Sequence, residues 1–195
     1  LVESGSITKL LNGNKGITID GVQHPQTIFT IWTEAERNAI GIYTVEIDNS
    51  KKKSTEWYIN TDITYSFESN KVTGSYGDAT ARAHADTLYT SQDKTDGKIT
   101  KDDIKVAGLK TVLIKQVKAE AAQELQKTDW YITRKTEKDT AIPSSITTHR
   151  DAVRTKQAEM ETAITNASDT PALQTLYTSV DGNPRPIGSI PTLEV

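Results

Sequence analysis

The feature that most constrains this chain is a stripe of apolar residues, spaced three and four positions apart, in its second half. This spacing returns side chains to one face of an α-helix and predicts an amphipathic helix that must bury that face. The helix is expected to run from about Lys101 to about Glu137, with Asp102 and Asp103 at its start, where negative charge suits the helix dipole. The stripe consists of Val106, Leu109, Leu113, Val117, Ala121, Leu125, Thr128 and Ile132.

A second helix is predicted after a loop at residues 138–143, with Ser144 or Ser145 as its cap. Its apolar positions form a narrow seam of the kind found where two helices pack along their length. Arg150 and Gln157 occupy the intermediate positions, so the seam is partly polar. Because the loop is short, the two helices are expected to be antiparallel neighbours. The apolar members of the seam are Ile146, Val153, Met160 and Ile164.

Strand periodicity dominates the first third of the chain. Asp20-Gly21 predicts a hairpin turn, and Glu68-Ser69-Asn70 predicts a second turn. In the segment between residues 57 and 67, every odd-numbered side chain is expected on one face. The predicted strands are Ile17–Ile19, Ile42–Ile47, Trp57–Phe67 and Lys71–Tyr76.

Three short helices are predicted outside the main pair. Thr33 and Glu36 have capping-box spacing and predict a helix at Glu34–Ile40, ended by Gly41. The segment from 78 to 103 is rich in Gly, Asp, Thr and Ser, which is typical of a linker, with one helix expected at Asp78–Tyr89. Pro171–Ser179 predicts the last helix.

These patterns predict an α+β fold: a small β-rich N-terminal part followed by an antiparallel α-helical hairpin and an irregular C-terminal tail. The predicted divisions are a β-rich domain at residues 1–77, a linker at 78–103, the hairpin module at 104–180 and an extended tail with Pro and Gly at 181–195. Only 35% of the residues are apolar, which is low for a globular domain. The core is therefore expected to be thin, with neighbouring chains adding stability.

Charge and composition also restrict the function. A formal net charge of −3 disfavours a nucleic-acid-binding protein, which needs a basic face. The absence of cysteine excludes disulfides and thiolate metal sites. No apolar run approaches the roughly 18 residues needed to cross a bilayer, and no secretory signal is visible. We therefore expect neither a nucleic acid nor a membrane as the partner.

No residue pattern predicts a metal or active site. With Gly97 as the sixth residue of a calcium loop, Gln92 and Lys94 would fall at ligand positions, so a plain Asp-Gly turn is favoured. His24, His84 and His149 lack acidic or histidine partners at ligand spacing. We expect no cofactor, no small-molecule substrate and no enzyme activity. A glycan or cell-wall hydrolase stays as a second alternative, disfavoured by the scarcity of aromatic residues.

Charged residues and one tryptophan cluster where the two long helices are predicted to turn. One interpretation is a solvated set of helix-surface charges, worth a few tenths of a kcal/mol each. The other is an Arg–carboxylate network that fixes how the helices meet, with Trp130 as the packing anchor. We favour the network, because a Trp beside several Arg is costly to place on open surface. The charged members are Asp129, Arg134, Glu137, Arg150, Asp151 and Arg154.

The same residues form a longer pattern. It consists of Leu125-x-x-Thr128-Asp129-Trp130, then Arg134-x-x-Glu137, then Pro143-x-x-Ile146-x-x-His149-Arg150-x-x-Val153-Arg154. This pattern resembles the C-terminal module of tailed-phage tail assembly chaperone and tail-fibre assembly proteins, over roughly Ile104 to Pro191. His149 stands where that family usually has Tyr. The Trp-Pro stretch that often ends the module is here represented only by prolines.

The resemblance implies tailed-phage biology and a role in protein–protein contacts. The first hypothesis is a structural component of the virion, in the tail, baseplate or fibre-attachment region, assembled in the host bacterial cytoplasm. The alternative is a transient tail or tail-fibre assembly chaperone. Expected partners are other tail or fibre proteins, or further copies of this chain. The residues expected to organise the hairpin or bind neighbours are Leu125, Asp129, Trp130, Arg134, Glu137, Arg150 and Arg154.

Overall fold

The structure, a computed structural model, describes residues 1–97, 103–179, 182 and 185–193. The chain divides into two compact units, Leu1–Thr80 and Ala81–Val195. Strands dominate the first unit and helices the second, so the predicted α+β class is confirmed.

Tight two-residue turns shape the N-terminal unit. Three antiparallel hairpins are closed by Ser4-Gly5, Asp20-Gly21 and Ser69-Asn70, all of which have positive φ. Positive φ at both turn residues matches the twist of the flanking strands. The predicted hairpin at Asp20-Gly21 and the turn at 68–70 are therefore confirmed. The paired strands are β1 (Val2–Glu3), β2 (Ser6–Ile7), β3 (Ile17–Ile19), β4 (Val22–His24), β7 (Ile63–Glu68) and β8 (Lys71–Tyr76).

The main sheet has the order β5-β8-β7, with β5 (Val45–Asp48) parallel to β8. Its register puts apolar side chains on one face and polar side chains on the other. Gly74 lies at the centre of the apolar face, where side chains of Ile47, Ile63 and Tyr65 fill the space that a Cβ would need. This strand therefore needs glycine there for close packing.

The predicted strand Trp57–Phe67 is wrong in its middle. Two separate strands form, β6 (Tyr58–Ile59) and β7, and β6 pairs with β9 (Thr80–Ala81). The Asn60 amide binds both the N–H and the carbonyl of Lys53, which fixes a loop where the strand would continue. Trp57 is buried while Ile59 is exposed, so these two residues do not share one face as predicted.

Two short helices cover the small core of this unit. The capping box of Thr33 and Glu36 is present, and α2 (Glu34–Ala39) follows it as predicted. The apolar run before it forms a helical turn, α1 (Ile28–Ile31). The buried centre consists of Ile19, Ile28 and Ile42.

The C-terminal unit begins with an extended segment, so the predicted helix at Asp78–Tyr89 is wrong. The Asp86 carboxylate accepts hydrogen bonds from the Gly108 N–H and the Thr111 hydroxyl, and the first helical N–H groups of Leu109 and Lys110 donate to carbonyls at 83 and 84. Because these groups cap the neighbouring helix, the segment that carries them does not form a helix itself. The elements here are β10 (Thr87–Leu88), α3 (Ser91–Thr95) and β11 (Ile104–Val106), with β10 antiparallel to β11.

The predicted single helix over 101–137 is two helices, α4 (Leu109–Gln126) and α5 (Asp129–Lys138). Most of the predicted stripe is confirmed, because Leu113, Val117 and Ala121 are buried. The two ends differ: Val106 lies in an exposed strand and Ile132 is also exposed. Asp103 precedes β11 instead of starting a helix, and Asp102 lies outside the described residues.

The second long helix, α6 (Ser144–Asn166), buries the four predicted seam residues and Arg150. Its cap position is Pro143, so capping by Ser144 or Ser145 is wrong. Polar contacts link Lys110 to Thr165 and Leu125 to Arg150, and this reversed order shows that α4 and α6 are antiparallel, as predicted. The last helix, α7 (Thr170–Tyr177), is capped by the Asp169 carboxylate.

The C-terminal segment 185–193 packs back onto its own unit, with Ile187 and Ile190 buried. Arg185 makes a bidentate ion pair with Glu120 on α4, in which each of its two Nη atoms lies 3.3 Å from a carboxylate oxygen. The predicted irregular tail is confirmed for these residues, which form no helix or strand and cover their own helices. The rest of the predicted tail, apart from Gly182, lies outside the described residues.

Candidate interaction module at the helix junction

A buried arginine occupies the point where α4 gives way to α5. Arg150, only 8% exposed, donates from Nη1 to the Leu125 carbonyl (2.9 Å), the Thr128 hydroxyl (2.7 Å) and the Asp129 carboxylate (2.9 Å). In an unbroken helix the Leu125 carbonyl would accept from the N–H four residues on. Here the Leu125 carbonyl instead accepts from the Thr128 N–H at 3.0 Å, from the Thr128 hydroxyl at 2.9 Å and from Arg150. The guanidinium therefore sets the break between the two helices.

A buried carboxylate lies beside this arginine. Glu124, 5% exposed, accepts hydrogen bonds from the Lys127 ammonium and from the backbone N–H of Leu193 at 2.7 Å. These bonds, first that from Lys127, hold the pKa of Glu124 below its ordinary value despite the opposing effect of burial. The carboxylate therefore ties the C-terminal segment to α4 in its ionised form. We call Glu124, Thr128, His149 and Arg150 the polar junction.

His149 contributes the only ring of the polar junction. Its Nε2 lies 3.2 Å from Oε1 of Glu124, with the side chain 9% exposed, but the alignment is too poor for a hydrogen bond. A buried ring nitrogen this close to a carboxylate is well placed to donate to it after a small rotation. The position where the resembled family has Tyr thus carries a ring that faces a charged partner.

Glu124→Gln is expected to destabilise the protein by about 1 kcal/mol at pH 7, because the bonds from Lys127 and Leu193 lose a charged acceptor. The pKa of Glu124 is lower in the folded chain, so its stabilisation is complete above the unfolded pKa of about 4.3 and is lost as the pH falls through the folded value. Urea unfolding of the wild type and the variant, at pH 7 and at an acid pH below the folded pKa, measures the difference in their free energies of unfolding. This difference should be smaller at the acid pH.

The matched control for this change is Glu120→Gln, one turn earlier on α4. Glu120 also binds the C-terminal segment, through Arg185, but its side chain is much more exposed. Glu120→Gln should therefore lower the free energy of unfolding at pH 7 by less than Glu124→Gln does. A Glu124→Gln penalty that stays constant down to acid pH would contradict the assigned role of the ionised carboxylate.

Helix α5 presents aromatic residues to solvent. Trp130 is 51% exposed, so the prediction of a buried packing anchor is wrong. Its ring stacks on Tyr131 with centroids 3.8 Å apart, and the Arg134 guanidinium lies 4.8 Å from the Trp130 ring. No residue of α5 is buried. Trp130 is exposed and Tyr131 and Arg134 are half-buried, and these three residue types are the ones that binding hot spots favour.

Trp130→Ala is expected to change the free energy of unfolding by only about 0.5–1 kcal/mol, the worth of its exposed ring contacts. Acrylamide should quench Trp130 fluorescence readily, while Trp57, 3% exposed, should be protected. Urea unfolding and quenching of single-Trp variants measure both effects. A loss of several kcal/mol would instead restore the anchor role.

The remaining predicted site residues do not join one network. Arg154 pairs with Asp151 at 3.3 Å on the exposed side of α6, away from Asp129. Glu137 is exposed on α5. The structure thus brings together Leu125, Asp129 and Arg150, and separates them from the group at Trp130. Sequence reasoning missed Glu124, whose only signal was a charged residue next to the apolar stripe.

Within the described part of the chain, no three His, Cys, Asp or Glu residues are grouped so that they could hold a metal ion. Asp93 caps α3 and also pairs with Lys105, and these bonds, first those from Thr90, lower its pKa to about 2. Lys98 and Ile99 of the calcium-loop candidate lie outside the described residues. Of the helices that the structure describes, none has both the length and the apolar character required to span a membrane.

The chain matches no protein-family model, no curated protein and no solved structure. The resemblance to phage tail assembly proteins therefore rests on the motif residues alone.

Proposed function

We propose that this chain is a structural component of a tailed-phage virion, in the tail, baseplate or fibre-attachment region, and that it acts through protein–protein contacts. The observation that carries the proposal is the pairing of a buried polar junction with an exposed α5. Arg150 fixes where α5 starts, and α5 presents Trp130, Tyr131 and Arg134 without burying any residue. The motif pattern that resembles tail assembly proteins covers the same residues.

The buried polar junction and the exposed face of α5 have different surroundings, which give them different roles. Hydrogen bonds from a buried guanidinium are directional and cost much to break, so they hold the helix ends in one arrangement. Exposed aromatic side chains supply contact area at low entropy cost, which suits a surface that docks on a neighbour. The junction therefore positions the α5 face, and this face binds neighbouring chains of the assembly.

A transient assembly chaperone would use the same surface differently. It would release its client, so the chain would be found in soluble complexes of infected cells and not in finished particles. Sucrose-gradient fractionation of infected cells, followed by immunodetection, separates these outcomes. Sedimentation with complete particles supports the structural role, and confinement to soluble fractions supports the chaperone.

The same gradient tests the α5 surface. Phage carrying Trp130→Ala should show the chain shifted from particle fractions to soluble fractions, although the variant stays folded. Thr136→Ala, on a different face of α5, is the matched control and should leave the distribution unchanged. Equal incorporation of both variants would count against a docking role for Trp130.

A further inference from the structure

Helix α5 is too short and too exposed to be an independent element. It has ten residues and none of them is buried, whereas isolated helices shorter than about 12–15 residues are marginal in water. Trp130, Arg134 and Glu137 are spaced by four and three, so they share one face. A short helix with such a face is expected to gain cover from another molecule.

The charges on this face lack ion-pair partners within the part of the chain that the structure describes. Arg134 lies over the rings of Trp130 and Tyr131, and its buried Nε has no hydrogen-bond acceptor there. Glu137 is exposed and has no ion pair among the same residues. Two other charges of α5 have ion-pair partners: Asp129 binds Arg150, and Lys135 binds Asp139.

We propose that α5 pairs antiparallel with α5 of a second copy of this chain. In a two-fold pairing, residue i meets residue j and residue j meets residue i. Antiparallel packing centred between Arg134 and Glu137 places each arginine opposite the glutamate of the other copy, so two Arg–Glu pairs form. A parallel pairing would instead oppose Arg134 to Arg134, which is repulsive.

The size of the surface sets the expected strength. One ten-residue helix buries less than the roughly 1,200–2,000 Å² of a stable protein interface. The dimer is therefore weak and concentration-dependent, and it gains strength where copies are already held together in an assembly. The inference rests on the proposed role of α5 as a contact surface and names its partner.

Sedimentation equilibrium of the purified full chain, from micromolar to millimolar concentration, tests the pairing. Wild-type chain should show a monomer–dimer equilibrium. Arg134→Glu and Glu137→Arg should each raise the dimer dissociation constant by about tenfold, since each replaces two attractive pairs by two repulsive ones. Lys115→Glu, an equal charge change at an exposed position of α4, should leave it unchanged.

Mixing the two single variants gives the decisive readout. One variant then carries two glutamates and the other two arginines, so a heterodimer at least as strong as the wild-type dimer is expected. The double variant R134E/E137R should also recover dimerisation, and circular dichroism confirms that each variant is folded. A monomeric wild type, or a mixture no stronger than its components, overturns the pairing. Neither result decides whether the chain is in the virion, which the gradient analysis tests separately.

Discussion

Arg150→Ala is expected to lower the free energy of unfolding of the C-terminal unit by about 2–4 kcal/mol. The change removes the donor to the Leu125 carbonyl and the Thr128 hydroxyl. Thr128 is fully buried, and although its hydroxyl still donates to the Leu125 carbonyl, each lost hydrogen bond from a charged donor costs about 1.5–3 kcal/mol. Asp129 adds little to the loss because its side chain is more than half exposed and stays hydrated. Urea unfolding followed by far-ultraviolet circular dichroism measures the effect.

Two further variants separate hydrogen bonding from other effects at this position. Arg154→Ala is the matched control, one turn along α6, where an exposed arginine pairs only with Asp151. It should cost less than about 1 kcal/mol. Arg150→Met keeps most of the side-chain volume but no donor, so it should recover only part of the loss. A Met variant as stable as wild type would show that Arg150 acts through packing alone.

Ile164→Ala is expected to cost about 2–5 kcal/mol, the range for truncating a fully buried aliphatic side chain. Ile164 has no exposed surface and lies on the same seam as Met160 and Val153, which are also fully buried. The cavity left between helices cannot be filled without moving them. Thermal unfolding measures the loss, with Ile132→Ala as the control, because Ile132 is 40% exposed.

Ile132→Ala should cost clearly less than Ile164→Ala, since 40% of the Ile132 surface is already in water. Similar penalties at the two positions would contradict the assignment of the core to the α4–α6 seam. They would indicate that α5 is packed as tightly as the two long helices.

Local chemistry correctly predicted two turns and one helix cap of this fold. Asp20-Gly21 and residues 68–70 form turns because their backbone conformations follow from the residue types themselves. Thr33 and Glu36 satisfy each other's backbone N–H groups within four residues. Such features need no knowledge of the rest of the chain.

Distant partners caused the errors. The apolar period continues through Thr128, and the helix breaks there because Arg150, 22 residues further along the chain, binds its hydroxyl and the Leu125 carbonyl. The segment at 83–86 stays extended because it caps α4. Neither partner is visible in the local period, which reports only which side chains are apolar.

Distant partners also explain why only part of the candidate site was predicted. Arg150 could be found from its place in an apolar seam, where a charge needs partners. Glu124 could not, because its burial depends on the returning segment at Leu193. Trp130 was expected to be a packing anchor because a Trp beside several Arg is costly on open surface, but α5 lies outside the seam and leaves the ring exposed. Large aromatic residues serve cores and interfaces alike, and sequence does not separate the two.

We propose that this chain remains in the finished virion and works there through contacts. Quantitative mass spectrometry of intact, washed particles of the phage that encodes it is the decisive test. We expect peptides from both units at a fixed number of copies per particle, unchanged by further washing. Its absence from particles, together with abundance in the lysate, would contradict the structural role and favour the assembly chaperone.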